Sequence, residues 1–268
     1  MLSNLWASRQ PCYGAGAMQK LSAIVTCFNE AAMIGDCLKS IQFADEIIVV
    51  DSFSTDRTLE IARPLATRVM QHEYRYPAAQ KNWIIPQAAH EWVLILDSDE
   101  RATPELAEEI KRILERPQFD GYWIRRRNFF WGKEIRHGSW KTDKVLRLFR
   151  RDMGRYQDKQ VHEEIELPAE PGWCEARLEH YSYRSLDDYL SKLTRYSSWG
   201  ANDALRAGKR SSQWRILSHG FGHFFKSYIL KRGFRDGIEG LVIAAMEGYF
   251  AFFKYAKLYE LQRQQPKP

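Results

Sequence analysis

Asp97-Ser98-Asp99-Glu100 follows directly on the apolar run Trp92-Val93-Leu94-Ile95-Leu96. Two carboxylates one residue apart, with a small serine between them, can hold a hard divalent cation through oxygen ligands. Such a cation would neutralise a diphosphate, so the pattern points to metal–nucleotide chemistry. The apolar run has the length and composition of a strand buried on both faces. Open α/β sheets gather their ligands at the carboxyl ends of such strands.

Two more strand ends carry polar groups. Asn29-Glu30 comes just after Leu21–Thr26, and Asp51 follows Glu46–Val50. Any one of these alone reads as a turn former or a helix cap. Three on successive strands, one of them a D-x-D with an added glutamate, favour a shared crevice. A second kind of chemistry is offered by His162-Glu163-Glu164, since a glutamate of raised pKa can accept a proton from an attacking hydroxyl. Alternation over 161–167 sends His162 and Glu164 to one side and Glu163 to the other, so only one glutamate readily faces a cleft. A surface strand with solvated acids is the competing reading. Gly138-Ser139-Trp140 precedes the strand 145–150; an aromatic face after a flexible turn suits a pyranose, as a turn with a buried tryptophan would equally explain it.

The elements that must position these groups alternate in type. After strand 21–26, Asn29 is placed to cap a helix with apolar positions Ile34, Leu38 and Ile41. Strand 46–50 leads to Ser54-Thr55-Asp56, capping oxygens for a helix through Ala62 that Pro64 stops. A short strand at 68–71, a helix around 78–88 and the strand 92–96 complete a β-α-β-α-β-α-β series, which argues for a mostly parallel sheet. Pro104 starts another helix. The segments 121–130, 143–150 and 161–167 alternate like antiparallel strands, and from Leu186 the pattern is almost wholly helical.

Composition bounds the rest. With 268 residues and 44% hydrophobic content the chain can build one large domain with a helical appendage. The four cysteines, Cys12, Cys27, Cys37 and Cys174, lack metal-ligand spacing; buried free thiols and a reducing cytoplasmic compartment fit best. The net charge of +6 is concentrated in the C-terminal third, where residues 186–268 carry 14 Lys and Arg against 7 Asp and Glu. Residues 1–17 lack the apolar core of a signal peptide and read as a disordered extension, with Met18 as a second possible start.

Val25–Glu30, Val49–Asp56 and Leu96–Glu100 together resemble family 2 glycosyltransferases of the GT-A fold, over roughly residues 20–185. The similarity runs closest to bacterial enzymes of lipopolysaccharide core biosynthesis that add a β-linked glucose to inner-core heptose. The resemblance implies a Rossmann-like, mostly parallel α/β nucleotide-diphospho-sugar transferase domain over 18–185 and a helical extension over 186–268. It implies that Phe28, Asn29 and Glu30 line the nucleotide pocket, that Asp51 bonds uracil, and that Lys81 and Asn82 lie near ribose or diphosphate, an exposed helix face being the alternative for these two. It further implies that Asp97 orients ribose and metal, Asp99 binds Mg²⁺ or Mn²⁺, and His180 completes the metal site. Trp140 becomes the sugar platform, and Glu163, with Glu164 second, the base for inverting transfer from a UDP-sugar. The family often has two adjacent acids where this chain has Asp51-Ser52.

In the tail, Trp214, Leu217, Phe221, Phe224/Phe225 and Tyr228 recur along one helical face beside Arg215, Lys226, Lys231 and Arg232. Uncharged stretches there, such as Gly240–Met246, fall far short of the ~20 apolar residues needed to span a bilayer. A peripheral position on the anionic cytoplasmic face of the inner membrane, next to a lipid-anchored glycan, is the expectation; packing on the catalytic domain or a dimer seam is the alternative. No nucleic-acid partner is expected. The competing functions are a sugar nucleotidyltransferase, disfavoured because no Gly-rich phosphate loop is present, and a catalytically silent membrane scaffold.

Overall fold

The computed structural model describes residues 18–158, 164–183 and 185–264. The extension 1–17, together with His162 and Glu163, lies outside the described residues.

The first half follows the expected alternation: β1 (Leu21–Cys27), α1 (Ile34–Ser40), β2 (Glu46–Asp51), α2 (Thr58–Ala62), β3 (Arg68–Gln71), α3 (Pro77–Ile84) and β4 (Trp92–Asp97). Strand pairs β3–β2, β2–β1 and β1–β4 are all parallel. Period-two geometry divides each strand between two cores. Trp92, Leu94 and Leu96 face the cluster holding Ile34, Leu38 and Leu106, whereas Val93 and Ile95 face Ala78 and Ile84 on the other side.

Two local expectations are corrected. Asn29 does not cap α1, which begins only at Ile34; its backbone is left-handed (φ 54°) and its side chain accepts from Thr55 N at 2.8 Å. The helix expected over 78–88 ends at Ile84 and tightens into a 3₁₀ turn at Ile85–Gln87, because Pro86 has no N–H to continue the ladder.

Beyond Asp97 come β5 (Glu100–Ala102), α4 (Pro104–Glu115), β6 (Gly121–Phe130), β7 (Lys133–Glu134), β8 (Lys144–Arg150), β9 (Arg155–Tyr156), β10 (Ile165–Glu166) and β11 (Gly172–Tyr181). Thr103 caps α4 by accepting from Leu106 N at 3.2 Å. The main sheet runs β3-β2-β1-β4-β8-β6-β11-β5, with β7 on β6. As expected, β8 is antiparallel to its neighbours. The ten-residue β11 was not foreseen, and it lies parallel to β6.

The strand order forces curvature. β5 starts three residues after β4 ends yet sits four places away in the sheet. Four strand spacings in a flat sheet span about 19 Å, whereas three residues reach at most about 10 Å. The sheet therefore curls, and its far edge, with β11, returns over the carboxyl end of β4.

The tail consists of α5 (Leu186–Arg206), α6 (Gln213–Phe225), which widens into a π-helical turn at Lys226–Leu230, and α7 (Gly237–Gln264). The Lys257 ammonium ties α7 to α5 through Thr194 O and the Ser197 and Ser198 hydroxyls, each at 2.8 Å. α6 crosses α7 at paired glycines: a Cβ on Gly248 would stand 2.9 Å from Gly220 O and 3.1 Å from Phe224 Cβ. Gly248→Ala is expected to lower the unfolding free energy by about 1–3 kcal/mol through overpacking; urea denaturation checks this, and an unchanged midpoint would refute the close crossing. Among the described residues, no helix is long and apolar enough to cross a membrane.

Candidate functional site

The loops after β1 and β2 form one rim. Asn29 N donates to Ser54 Oγ at 2.8 Å, Glu30 N to Thr58 Oγ1 at 2.7 Å and Ala31 N to Asp56 Oδ2 at 3.1 Å. Phe28 and Phe53 project from this rim, 54% and 55% exposed. Phe53 adopts φ 61°, a left-handed conformation that costs a residue with a Cβ roughly 1–2 kcal/mol. Strain held at a ligand-facing edge is a feature of binding sites. Asp51 lies beneath the rim, fully buried. It accepts from Ser54 N at 3.0 Å, the Ser54 hydroxyl and Gln71 Nε2 at 3.1 Å, so it holds the turn from below.

The floor is an ionic network at the end of β4, buried at Lys81, Glu100 and Arg147, with the Asp97 side chain 37% exposed. Asp97 pairs with Lys81 Nζ at 3.2 Å and with Arg147 Nη2. Arg147 also meets Glu100 Oε1 at 2.8 Å, and Arg126 bridges Glu100 at 3.1 Å and Asp143 at 2.7 Å. Burial works against the Asp97 charge, but Arg147, then Lys81, outweigh it and hold the carboxyl well below its ordinary range. Three cations, Lys81, Arg126 and Arg147, thus balance three acids, Asp97, Glu100 and Asp143.

Asp99 stands outside that balance. Its Oδ1 is buried with no hydrogen-bond partner, and its Oδ2 lies 3.7 Å from His180 Nε2. Burial pushes this carboxyl up, while His180, when its Nε2 carries a proton, more than compensates and brings it below its usual value. The curled sheet brings His180, on β11, over Asp99, and Tyr181 N donates to Asp99 O at 2.9 Å.

Asn128 sets the orientation of His180. It is 1% exposed; its Nδ2 faces two acceptors, Trp140 O and Asp143 Oδ2, each at 3.1 Å. Its Oδ1 therefore faces His180 Nδ1, at 2.7 Å, and that nitrogen must donate. In the neutral ring Nε2 is then a lone pair pointing at a carboxylate. Two acceptors turned toward each other, one with an orphaned oxygen, fit a hard divalent cation. Among the described residues no group of three or more His, Cys, Asp or Glu side chains forms a complete metal cage. Two protein ligands suit a cation whose other positions go to water and substrate phosphates.

The remaining expected residues fall around this centre. Lys81 is buried rather than on an exposed helix face, lying over the Tyr156 ring at 5.2 Å. Asn82 is not brought to the acidic floor; its amide clamps Tyr156 N and O, each at 2.9 Å. Trp140 is half-buried, edge-on to Phe130 at 5.9 Å, and joins the His180 network through its carbonyl. Glu164 is exposed, its carbonyl accepting from Gln157 N at 2.9 Å. An aromatic groove of about 270 Å³, lined by Met33, Phe129, Trp131, Tyr181 and Tyr183, opens beside the rim.

Sequence reasoning missed Arg147, Arg126 and Asn128. One signal was present: an arginine inside the apolar strand Val145-Leu146-Arg147-Leu148-Phe149 has to find a buried acid.

The profile of Glycosyl transferase family 2 matches residues 22–176, more than half of the chain. The lipopolysaccharide core biosynthesis glycosyltransferase LpsC of Rhizobium meliloti is 28% identical over 92% of this chain and 95% of its own. An uncharacterized glycosyltransferase of Rickettsia bellii is 29% identical, covering 92% of this chain and 88% of its own. Among solved structures, S. aureus TarS 1-349 in complex with UDP-GlcNAc superposes with a TM-score of 0.49 at 16% identity, covering 91% of this chain and 92% of that one. The chain belongs to glycosyl transferase family 2 and is a glycosyltransferase related to one of lipopolysaccharide core biosynthesis.

Proposed function

We propose that this glycosyltransferase is metal-dependent and inverting, and moves glucose from UDP-glucose onto an inner-core heptose of lipopolysaccharide or a similar lipid-anchored glycan. The observation that carries this reading is the orphaned Asp99 oxygen set against the His180 lone pair at the carboxyl edge of the parallel strands. The relationship to LpsC supports the acceptor class.

In this reading Phe28, Asn29 and Glu30 line the base and ribose pocket. Asp51 would reach uracil only by giving up the Ser54 hydroxyl, so its simpler role is to hold the turn that carries Phe53. Lys81 and Asp97 order the ribose–diphosphate side of the floor, and Asn82 acts through Tyr156. A Mg²⁺ or Mn²⁺ ion held by Asp99 and His180 would supply Lewis-acid stabilisation of the departing diphosphate. Trp140 and the aromatic groove offer faces to the sugars. Glu163, or Glu164 in its place, takes the acceptor hydroxyl proton as the oxygen bonds to the anomeric carbon and the bond to diphosphate breaks. Exposed apolar residues of α6 beside basic ones support a peripheral position at the inner membrane's cytoplasmic face.

Calorimetric titration of UDP and UDP-glucose, with and without Mn²⁺, tests the donor site. Metal-dependent binding is expected, and absence of binding would remove the uridine assignment. Product analysis separates the chemistries: transfer releases nucleoside diphosphate, whereas pyrophosphate would mean nucleotidyl transfer.

Asn128 is a positioning residue in this scheme. Asn128→Ala frees the His180 ring and is expected to weaken Mn²⁺ affinity by about 10–100-fold. Titration of Mn²⁺ into protein without nucleotide reads this directly, and an unchanged affinity would show that the tautomer is not set there.

A further inference from the structure

A cavity of about 290 Å³ lies between the turn that carries Trp140 and the bend joining α6 to α7. Its lining includes His137, Lys141, Lys231, Arg232, Arg235 and the apolar Leu230. Resting on the reading that the acceptor is lipid-anchored, we propose that this cavity binds a phosphate group at the surface of the membrane that bears the acceptor.

Charge is the first argument. Among the described residues Lys141, Lys231, Arg232 and Arg235 have no carboxylate within ion-pair distance. The acids of this region are committed elsewhere. Asp236 accepts from His137 N at 2.7 Å, His137 Nδ1 at 2.9 Å and Arg136 N at 3.2 Å, which turns its buried carboxylate into the turn. Glu239 pairs with Lys133 at 2.8 Å, and Glu247, close enough to feel the Lys231 charge but not paired with it, accepts from the Ser139 hydroxyl at 3.0 Å. Four cations thus line one concave space, with Lys141, Arg232 and Arg235 open to solvent, and guanidinium groups match phosphate oxygens in geometry as well as charge.

Shape is the second. Arg232 holds a left-handed backbone, φ 60°, and Gly138 opposite has φ 70°. The two walls are joined by Gly138 N donating to Lys231 O at 2.9 Å. The π-helical turn at Lys226–Leu230 sets the wall, and π turns recur at functional sites. The bend is packed too tightly to collapse into the space: a Cβ on Gly233 would stand 2.9 Å from Ser227 O.

Surroundings choose the source of the phosphate. Leu230, Phe234 and Ile238 are exposed around the bend, and Trp214, Phe221 and Phe225 are exposed along α6, with Trp214 at 77%. A cationic cavity among exposed apolar side chains matches the boundary where lipid phosphates meet acyl chains. The connection to the chemistry is short. The same turn presents the Trp140 carbonyl to Asn128, which holds His180. A membrane phosphate seated here would therefore fix the enzyme with its sugar-binding face toward lipid-anchored glycans.

Flotation of the full chain with phosphatidylcholine vesicles, with and without phosphatidic acid, tests this. Arg232→Gln/Arg235→Gln is compared with Lys209→Gln/Arg210→Gln, which removes equal charge from exposed positions outside the cavity. A basic residue near an anionic surface is worth roughly a fivefold change in binding. The cavity pair is expected to lose about 30-fold in phosphatidic-acid-dependent binding, against about fivefold or less for the control pair, whose side chains do not share the bound phosphate, and inorganic phosphate is expected to compete with wild-type protein. Equal losses in the two pairs would overturn the site in favour of diffuse charge. Calorimetric binding of inorganic phosphate without any vesicle binding would overturn the membrane source. Titration of UDP with Mn²⁺ on the same variants reports the donor site separately, so failure of either reading is visible without the other.

Discussion

Asp99→Asn is expected to abolish metal-dependent UDP binding and to lower glycosyl transfer by about a thousandfold, the upper range for removing one preorganised electrostatic group. The distinctive part of this expectation is stability. In metal-free protein Asp99 Oδ1 is buried without a partner, and Asp97 adds a like charge nearby. An unsatisfied buried polar atom costs about 1–3 kcal/mol. The amide loses the attraction that holds the carboxyl below its usual value but can donate to a neutral His180 Nε2, so the metal-free variant should unfold close to the wild-type temperature. Loss of Mn²⁺ affinity together with retained stability identifies a ligand kept for function. Unaltered Mn²⁺ binding would move the metal elsewhere, and a large loss of stability would make Asp99 a structural residue. Wild-type protein should also gain thermal stability on adding Mn²⁺, an increment the variant lacks.

Arg147→Met should have the largest effect on the fold itself. The guanidinium is 5% exposed and joins Asp97 to Glu100. Removing one member of a buried ion network typically costs about 3–5 kcal/mol, because the partners stay charged in a poor solvent. Lys81 still faces Asp97 and Arg126 still faces Glu100, which places the expectation near the lower end. The pH dependence separates this cause from a mere packing defect. In wild type the Asp97 carboxyl is held below its unfolded value, near 3.9. Its contribution is therefore fully present above that pH and is lost as pH falls through the depressed folded value. Without Arg147 the carboxyl takes up a proton more readily, so the variant loses less on acidification. Urea denaturation at about pH 7 and about pH 3 should show the gap to wild type narrowing at the lower pH, which lies below the unfolded carboxyl value. A gap independent of pH would mean that Arg147 acts through its bulk.

What was legible in the sequence is local. The run Trp92–Leu96 reads as a buried strand, and Pro104 as the start of a helix. The acidic pattern after such a strand marked the site, and the three motifs marked the family. Periodicity reports which faces of an element are apolar, and that follows from neighbouring residues alone. β11 escaped because Gly172–Tyr181 alternates inward Cys174 and Leu178 with the exposed charged residues Glu175 and Arg177, a weak apolar signal.

The sequence by itself determined the alternation of β1 to β4, the carboxylates at the end of β4 and the basic, aromatic tail. Only the tertiary structure decided which carboxylate is free. Asp97 and Asp99 are equivalent as letters, but Arg147, fifty positions on, takes one, and the curl of the sheet sets His180 against the other. It likewise decided that Phe224 packs toward Gly248 while Phe221 and Phe225 remain exposed. Hydrogen bonds and ion pairs between distant strands depend on the register and closure of the sheet. Those are properties of all the strands together, and no window of the chain contains them.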